Sequence, residues 1–255
     1  MEFTKYASLL LITTLGLITC TDNTVDPPQP QAVIEEFTFA PSGINRGKIY
    51  LPASYAANKS IPVIYLLDHQ EVAFNVATDE FQQVINGVNQ IADFDAIVVT
   101  LTEKLPTANH NFYPEYFELY KTLAAYVDNN YESNGSKTLI GRGDAAGIIL
   151  VNMFNESGAS HGFKNFVATD PFIDYISYLN SIIPSDNFPM DKSDMKLHYS
   201  FTENYELDRN RLFIDRVNNK NYPWLSFSAE EYPNLLYEED YPTIYADGLK
   251  FIFDN

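Results

Sequence analysis

Two unbroken apolar runs, IPVIYLLD (61–68) and DAIVVTLT (95–102), constrain the fold of this chain more than any other feature. A strand with one face in water alternates polar and apolar residues. Runs rich in Val and Ile without alternation suit strands covered on both faces, as in a parallel sheet between helices. The helical spacing of DEFQQVINGVNQIA between them agrees with that reading. Next comes YPEYFELYKTLAAYVDNNY (113–131), an amphipathic helix with Tyr116, Leu119, Leu123, Tyr126 and Val127 on one face. Strand and helix then alternate to the end: KTLIG, AAGIILVNMF, FVATD, DYISYLNSII, KLHYSF, RNRLFIDRV, WLSFSA and TIYADGLKFIF. Ahead of this series, FTFA (37–40) and GKIYLP (47–52) read as an antiparallel hairpin. The expectation is an α/β fold: a mostly parallel twisted sheet with helices on both faces and an N-terminal antiparallel hairpin. Such sheets bind ligands beyond the carboxyl ends of their strands.

The N-terminus points to export. Lys5 precedes an apolar run from Ala7 to Ile18, too short for a permanent membrane span. The run closes on LITC, which resembles the lipobox of a bacterial lipoprotein signal, with Cys20 as the lipidated residue. Cys20 is the only cysteine, which excludes intrachain disulfides and cysteine-based metal or thiol chemistry. TDNTVDPPQPQ then reads as an extended tether. The organisation expected is a signal over 1–19, a tether over 20–32 and one domain over 33–255. The chain is thus read as an extracytoplasmic, membrane-anchored lipoprotein, periplasmic or at the cell surface, touching the membrane only through its lipid. A net charge of −18, from 34 acidic against 16 basic residues, argues against nucleic acid as a partner.

The stretch TLIGRGDAAGII (138–149) runs from a strand through a small-residue turn into a helix. Around it, RGKIYLPASYAANKSIPVIYLLD, HNFYP, AAYVDNNYES, FKNFVATDPFID and GLKFIFDN occur in order over about residues 45–255. Together these blocks resemble the esterase D and enterochelin-esterase-like branch of the α/β-hydrolases. The resemblance implies an α/β-hydrolase fold and a Ser–acid–His triad, its serine on a strained turn between strand and helix. At the matching positions Gly141 keeps the first glycine, Gly143 stands where the serine belongs, and Ala145 and Ala146 replace the paired glycines. Counting back from Pro242, the family's histidine falls on Tyr237, and the acid on Glu206, with Glu203 close by. A phenol titrating near about 10 is a poor general base at neutral pH. Two of three catalytic roles are therefore missing at separate places.

Asp144, one register on, is the alternative nucleophile, because aspartate serves at this elbow in some α/β-hydrolases. Its plain role is a helix-start carboxylate. Asp68, His69, His110, Arg142, Asp144 and Tyr237 are the expected lining of the former cleft; His161 belongs to a polar loop and His198 reads as structural. No phosphate-binding glycine loop and no His-x-x-x-His spacing occurs, so neither a cofactor nor a metal is expected. Three functions stay open. One is a non-catalytic binding or scaffolding protein holding a small molecule or glycan in the cleft. Another is a hydrolase of acylated glycan or siderophore esters using Asp144 with His69 or His110. The third is an accessory surface lipoprotein of a nutrient-uptake assembly, with a protein partner.

Overall fold

A computed structural model describes residues 30–39, 45–67, 79–102, 113–156, 162–185, 189, 191–192, 194–202, 207–235 and 241–254. In chain order they form β1 (Val33–Phe39), β2 (Asn45–Leu51), β3 (Val63–Leu67), α1 (Glu80–Asn89), β4 (Ile97–Leu101), α2 (Tyr113–Asn130) and β5 (Lys137–Arg142). There follow α3 (Asp144–Asn155), β6 (Asn165–Thr169), α4 (Ile173–Ile182), β7 (Met195–Thr202), α5 (Leu207–Lys220), β8 (Leu225–Tyr232) and α6 (Tyr241–Phe253). They build one eight-stranded sheet in the order β1-β2-β4-β3-β5-β6-β7-β8. β1 and β2 pair antiparallel, as do β2 and β4, and every other pairing is parallel. The expected α/β architecture with its opening hairpin is therefore what the chain adopts.

The unbroken strands are buried from end to end, as their composition requires: every residue of β3 and of β4 is buried. Each face of the sheet has its own core. On one, Leu123 and Val127 of α2, Ile149 and Phe154 of α3, Ile176 of α4 and Phe213 of α5 cover Tyr65, Leu139 and Tyr199. On the other, Phe81, Val84 and Ile85 of α1 meet Ile244, Tyr245 and Leu249 of α6 over Ile64, Val98 and Val167. The face expected for α2 is the one that packs, with Tyr116, Leu123 and Val127 buried and Leu119 and Tyr126 partly so.

The hairpin starts earlier than its pattern suggests. Val33 and Ile34 belong to β1 yet are 46% and 52% exposed, so the alternation that marks a strand is lost there. Phe37 lies across Gly47 and stacks on Tyr126 with ring centroids 5.0 Å apart. A Cβ at position 47 would come within 2.3 Å of the Phe37 ring. Inside α3, Gly147 plays a similar part: a Cβ there would lie 2.3 Å from the Tyr175 ring, so α3 and α4 approach only because it is glycine.

His198 in β7 is 2% exposed and packs toward α6, with its ring 6.1 Å from that of Phe251. Neither ring nitrogen has a hydrogen-bond partner among the described residues. Burial pushes its pKa down from 6.5 to about 4, against a smaller opposing pull from Asp247. Below pH 6.5 the unfolded chain takes up a proton that folded His198 refuses. Stability linked to this group is therefore full above about pH 6.5 and falls as the pH drops toward about 4. His198→Leu removes an unmet donor as well as the titration. Thermal unfolding of the variant is expected to match or exceed the wild type at pH 7, by up to about 1–3 kcal/mol, with a shallower loss between pH 6.5 and 4. An unchanged acid limb would contradict this account.

Candidate functional site

β5 ends in the middle of the sheet, and the chain must leave it at once to enter α3. Gly143 makes that turn alone, with φ +60° and ψ −123°. Side chains disfavour such a backbone by about 1–3 kcal/mol, whereas glycine adopts it freely. Its N–H donates to Thr169 O at 3.1 Å; its carbonyl accepts from Gly147 N at 3.1 Å and Phe172 N at 3.3 Å. The elbow is thus tied to the end of β6 and the start of α4. Gly141 supplies the remaining room, since a Cβ there would lie 2.8 Å from Ala145 Cβ and 3.0 Å from Ile149 Cδ1. Among the described residues, a Cβ at Gly143 would meet only the Phe172 ring, at 3.8 Å. Among these residues the turn has room for a Cβ, yet carries none.

The residues on either side of Gly143 part to opposite faces of the sheet. Arg142 turns to the face covered by α1 and α6. Its guanidinium pairs with Glu80 at 3.2 Å and lies over the Tyr241 ring, 4.4 Å from its centroid. Tyr241 donates its hydroxyl to Asp170, and Tyr245, one turn further along α6, donates to Glu80. Asp170 follows β6 in a left-handed backbone (φ +46°), which aspartate tolerates better than most residues. Its other oxygen accepts from Thr202 N at 2.7 Å and Thr202 Oγ1 at 3.2 Å. Glu80 and Asp170 are 6% and 1% exposed. Desolvation raises both carboxyl pKa values above the usual carboxylate range, against the pull of the tyrosine hydroxyls and Arg142.

Asp144 begins α3 on the other side and is buried. It acts on Tyr116 of α2, whose phenol is pushed up to about 12, first by burial and then by the Asp144 charge. Of the residues expected from the sequence, Gly143, Arg142 and Asp144 are therefore placed, at the elbow and to its two sides. Asp68, His69, His110, Glu206 and Tyr237 lie outside the described residues, as do Glu203, His161 and Cys20. The cluster of Glu80, Asp170, Thr202, Tyr241 and Tyr245 was not foreseen. Among the described residues no group of three His, Cys, Asp or Glu side chains could hold a metal ion. No described helix is long and apolar enough to cross a membrane.

No protein-family model and no curated protein matches the sequence. Solved structures do match. An IroE-like serine hydrolase from Shewanella oneidensis is 16% identical, over 88% of this chain and 80% of that one, with a TM-score of 0.65. The siderophore hydrolase EstA from Aspergillus nidulans is 14% identical over 89% and 96% of the two chains, with a TM-score of 0.55. The enterobactin and salmochelin hydrolase IroE is 13% identical over 87% and 97%, also at 0.55. At such identities the likeness concerns the fold alone, and the fold is that of the α/β-hydrolases.

Strain at the elbow is directly measurable. Gly143→Ser has room for its Cβ but not the backbone freedom of glycine. It is expected to fold and to lose about 1–3 kcal/mol in denaturant unfolding, with the denaturant dependence unchanged. A loss near zero would mean that the turn at this position is unstrained.

Proposed function

We propose that this chain is an esterase-fold protein without catalysis, exported and held at the membrane by a lipid on Cys20, which binds its ligand where relatives cleave theirs. One observation carries the reading: residue 143 occupies the elbow in the backbone that presents a nucleophile, and it is glycine. Attack on an ester carbonyl needs an oxygen or sulfur lone pair at that place and a base to take its proton. Gly143 supplies neither. Asp144 is directed to the α2 side and Arg142 is engaged by Glu80 and Tyr241. His198, the only histidine among the described residues, is buried between β7 and α6 and held neutral. The sequence adds Tyr237 at the position of the family's histidine.

Binding does not require the missing groups. The first turn of α3 opens beside the elbow, and N–H groups at a helix start favour the oxygen of a carbonyl or an anion. Siderophores are the ligand class that the named activities of the structural neighbours support, and acylated glycans rest on the family resemblance alone. The acidic surface and the export signal suit a periplasmic or surface site, with a protein partner in nutrient uptake compatible with both.

Purified protein is expected to hydrolyse p-nitrophenyl acetate and butyrate no faster than an inert protein at equal concentration, before and after Asp144→Asn. Saturable turnover abolished by Asp144→Asn would overturn the proposal in favour of an aspartate nucleophile. Anchoring has its own check. Cys20→Ala is expected to move the chain from the membrane to the soluble fraction, and unchanged fractionation would exclude the lipid anchor.

A further inference from the structure

The charged cluster beside the elbow does not balance if every group is ionised. Two carboxylates, Glu80 and Asp170, share one cation, Arg142, and both are almost wholly removed from water. Glu80 faces Arg142 of β5, Tyr245 of α6, Asp79 on its own helix and the Asp170 charge. Asp170 faces Tyr241 of α6, Thr202 and Tyr199 of β7, and Arg142. Among the described residues, Arg142 is the one cation that acts on either carboxyl group. Two negative charges and one positive, held in a low-dielectric interior, leave one negative charge that the described residues do not offset. The system relieves this by keeping one proton, as interacting carboxyl pairs do.

We infer that Glu80 and Asp170 share a single proton at neutral pH, so that with Arg142 they form a net-neutral, proton-linked latch joining the elbow strand to α6. The latch closes through Tyr241 and Tyr245, which stand one turn apart on α6 and each donate to one carboxyl group. It binds the start of α1, the ends of β5 and β6 and the first turns of α6 into one unit. Its pH dependence opposes that of His198. The folded chain holds a proton that the unfolded chain has released, so stability rises as the pH falls through the folded titration of the pair. It levels off below the ordinary carboxyl range. The inference stands whether or not the chain cleaves esters.

Infrared difference spectra at pH 7 test it. The wild type is expected to show the carbonyl stretch of a protonated carboxylic acid. Glu80→Gln and Asp170→Asn each leave one carboxylate facing one arginine, so each is expected to fold, to lose that band and to flatten the rise in stability on acidification. The double variant strands Arg142 without a counter-charge. Its folded-to-unfolded ratio is expected to fall roughly a hundredfold or more below the product of the single effects. Should the double variant not fold, addition of Arg142→Met is expected to restore folding. Absence of the band in the wild type, single variants as damaging as the double one, or failure of Arg142→Met to rescue would each overturn the inference.

Discussion

Gly143 joins β5 to α3 through a backbone that most residues avoid, and two hydrogen bonds fix it against the end of β6 and the start of α4. The rest of the molecule is arranged around that joint. Buried β3 and β6 flank β5, so the turn emerges in the centre of the sheet with no freedom to shift. Gly141 and Gly147 keep the neighbouring space small by omission, one toward Ala145 and the other toward Tyr175. A turn of this kind makes sense where it must expose a reactive atom. Here the geometry persists with nothing to expose, and glycine relieves the strain that a side chain would impose.

The elbow also divides two polar environments. On the α1 and α6 side, Arg142 gathers Glu80, Tyr241, Tyr245 and Asp170 into a buried network in which each carboxyl oxygen named has a donor. On the other side Asp144 lies within the α3 start near Tyr116. Buried ion pairs contribute little net stability when intact and cost a great deal when broken. The network therefore secures which elements meet at the elbow more than it adds to overall stability. If the cleft binds without reacting, as proposed, a rigid floor is the useful property.

Most of the fold was legible because β3, β4 and α2 follow simple hydrophobic periods that tertiary packing reinforces. β1 was read short because Val33 and Ile34 face solvent, where apolar residues carry no periodic signal. At the site, the place of Gly143 on the turn was legible, since it depends only on local strand–turn–helix order. The buried network was not. Tyr245 and Glu80 are 165 positions apart, and nothing near either residue marks it as half of a pair. Arg142 was read as lining the cleft, but which face it would take depends on α1 and α6 arriving over the same edge. His198 was legible as a strand residue, although its missing hydrogen-bond partners are a property of the packed core alone.

The central claim is that no activated nucleophile stands at the carboxyl edge of this sheet. Intact-protein mass spectrometry after incubation with a fluorophosphonate probe tests it most directly, because labelling needs an activated nucleophile but not the natural ligand. The account predicts an unchanged mass for the folded chain. A single stoichiometric adduct, mapped to one residue and lost on unfolding before exposure to the probe, would contradict it.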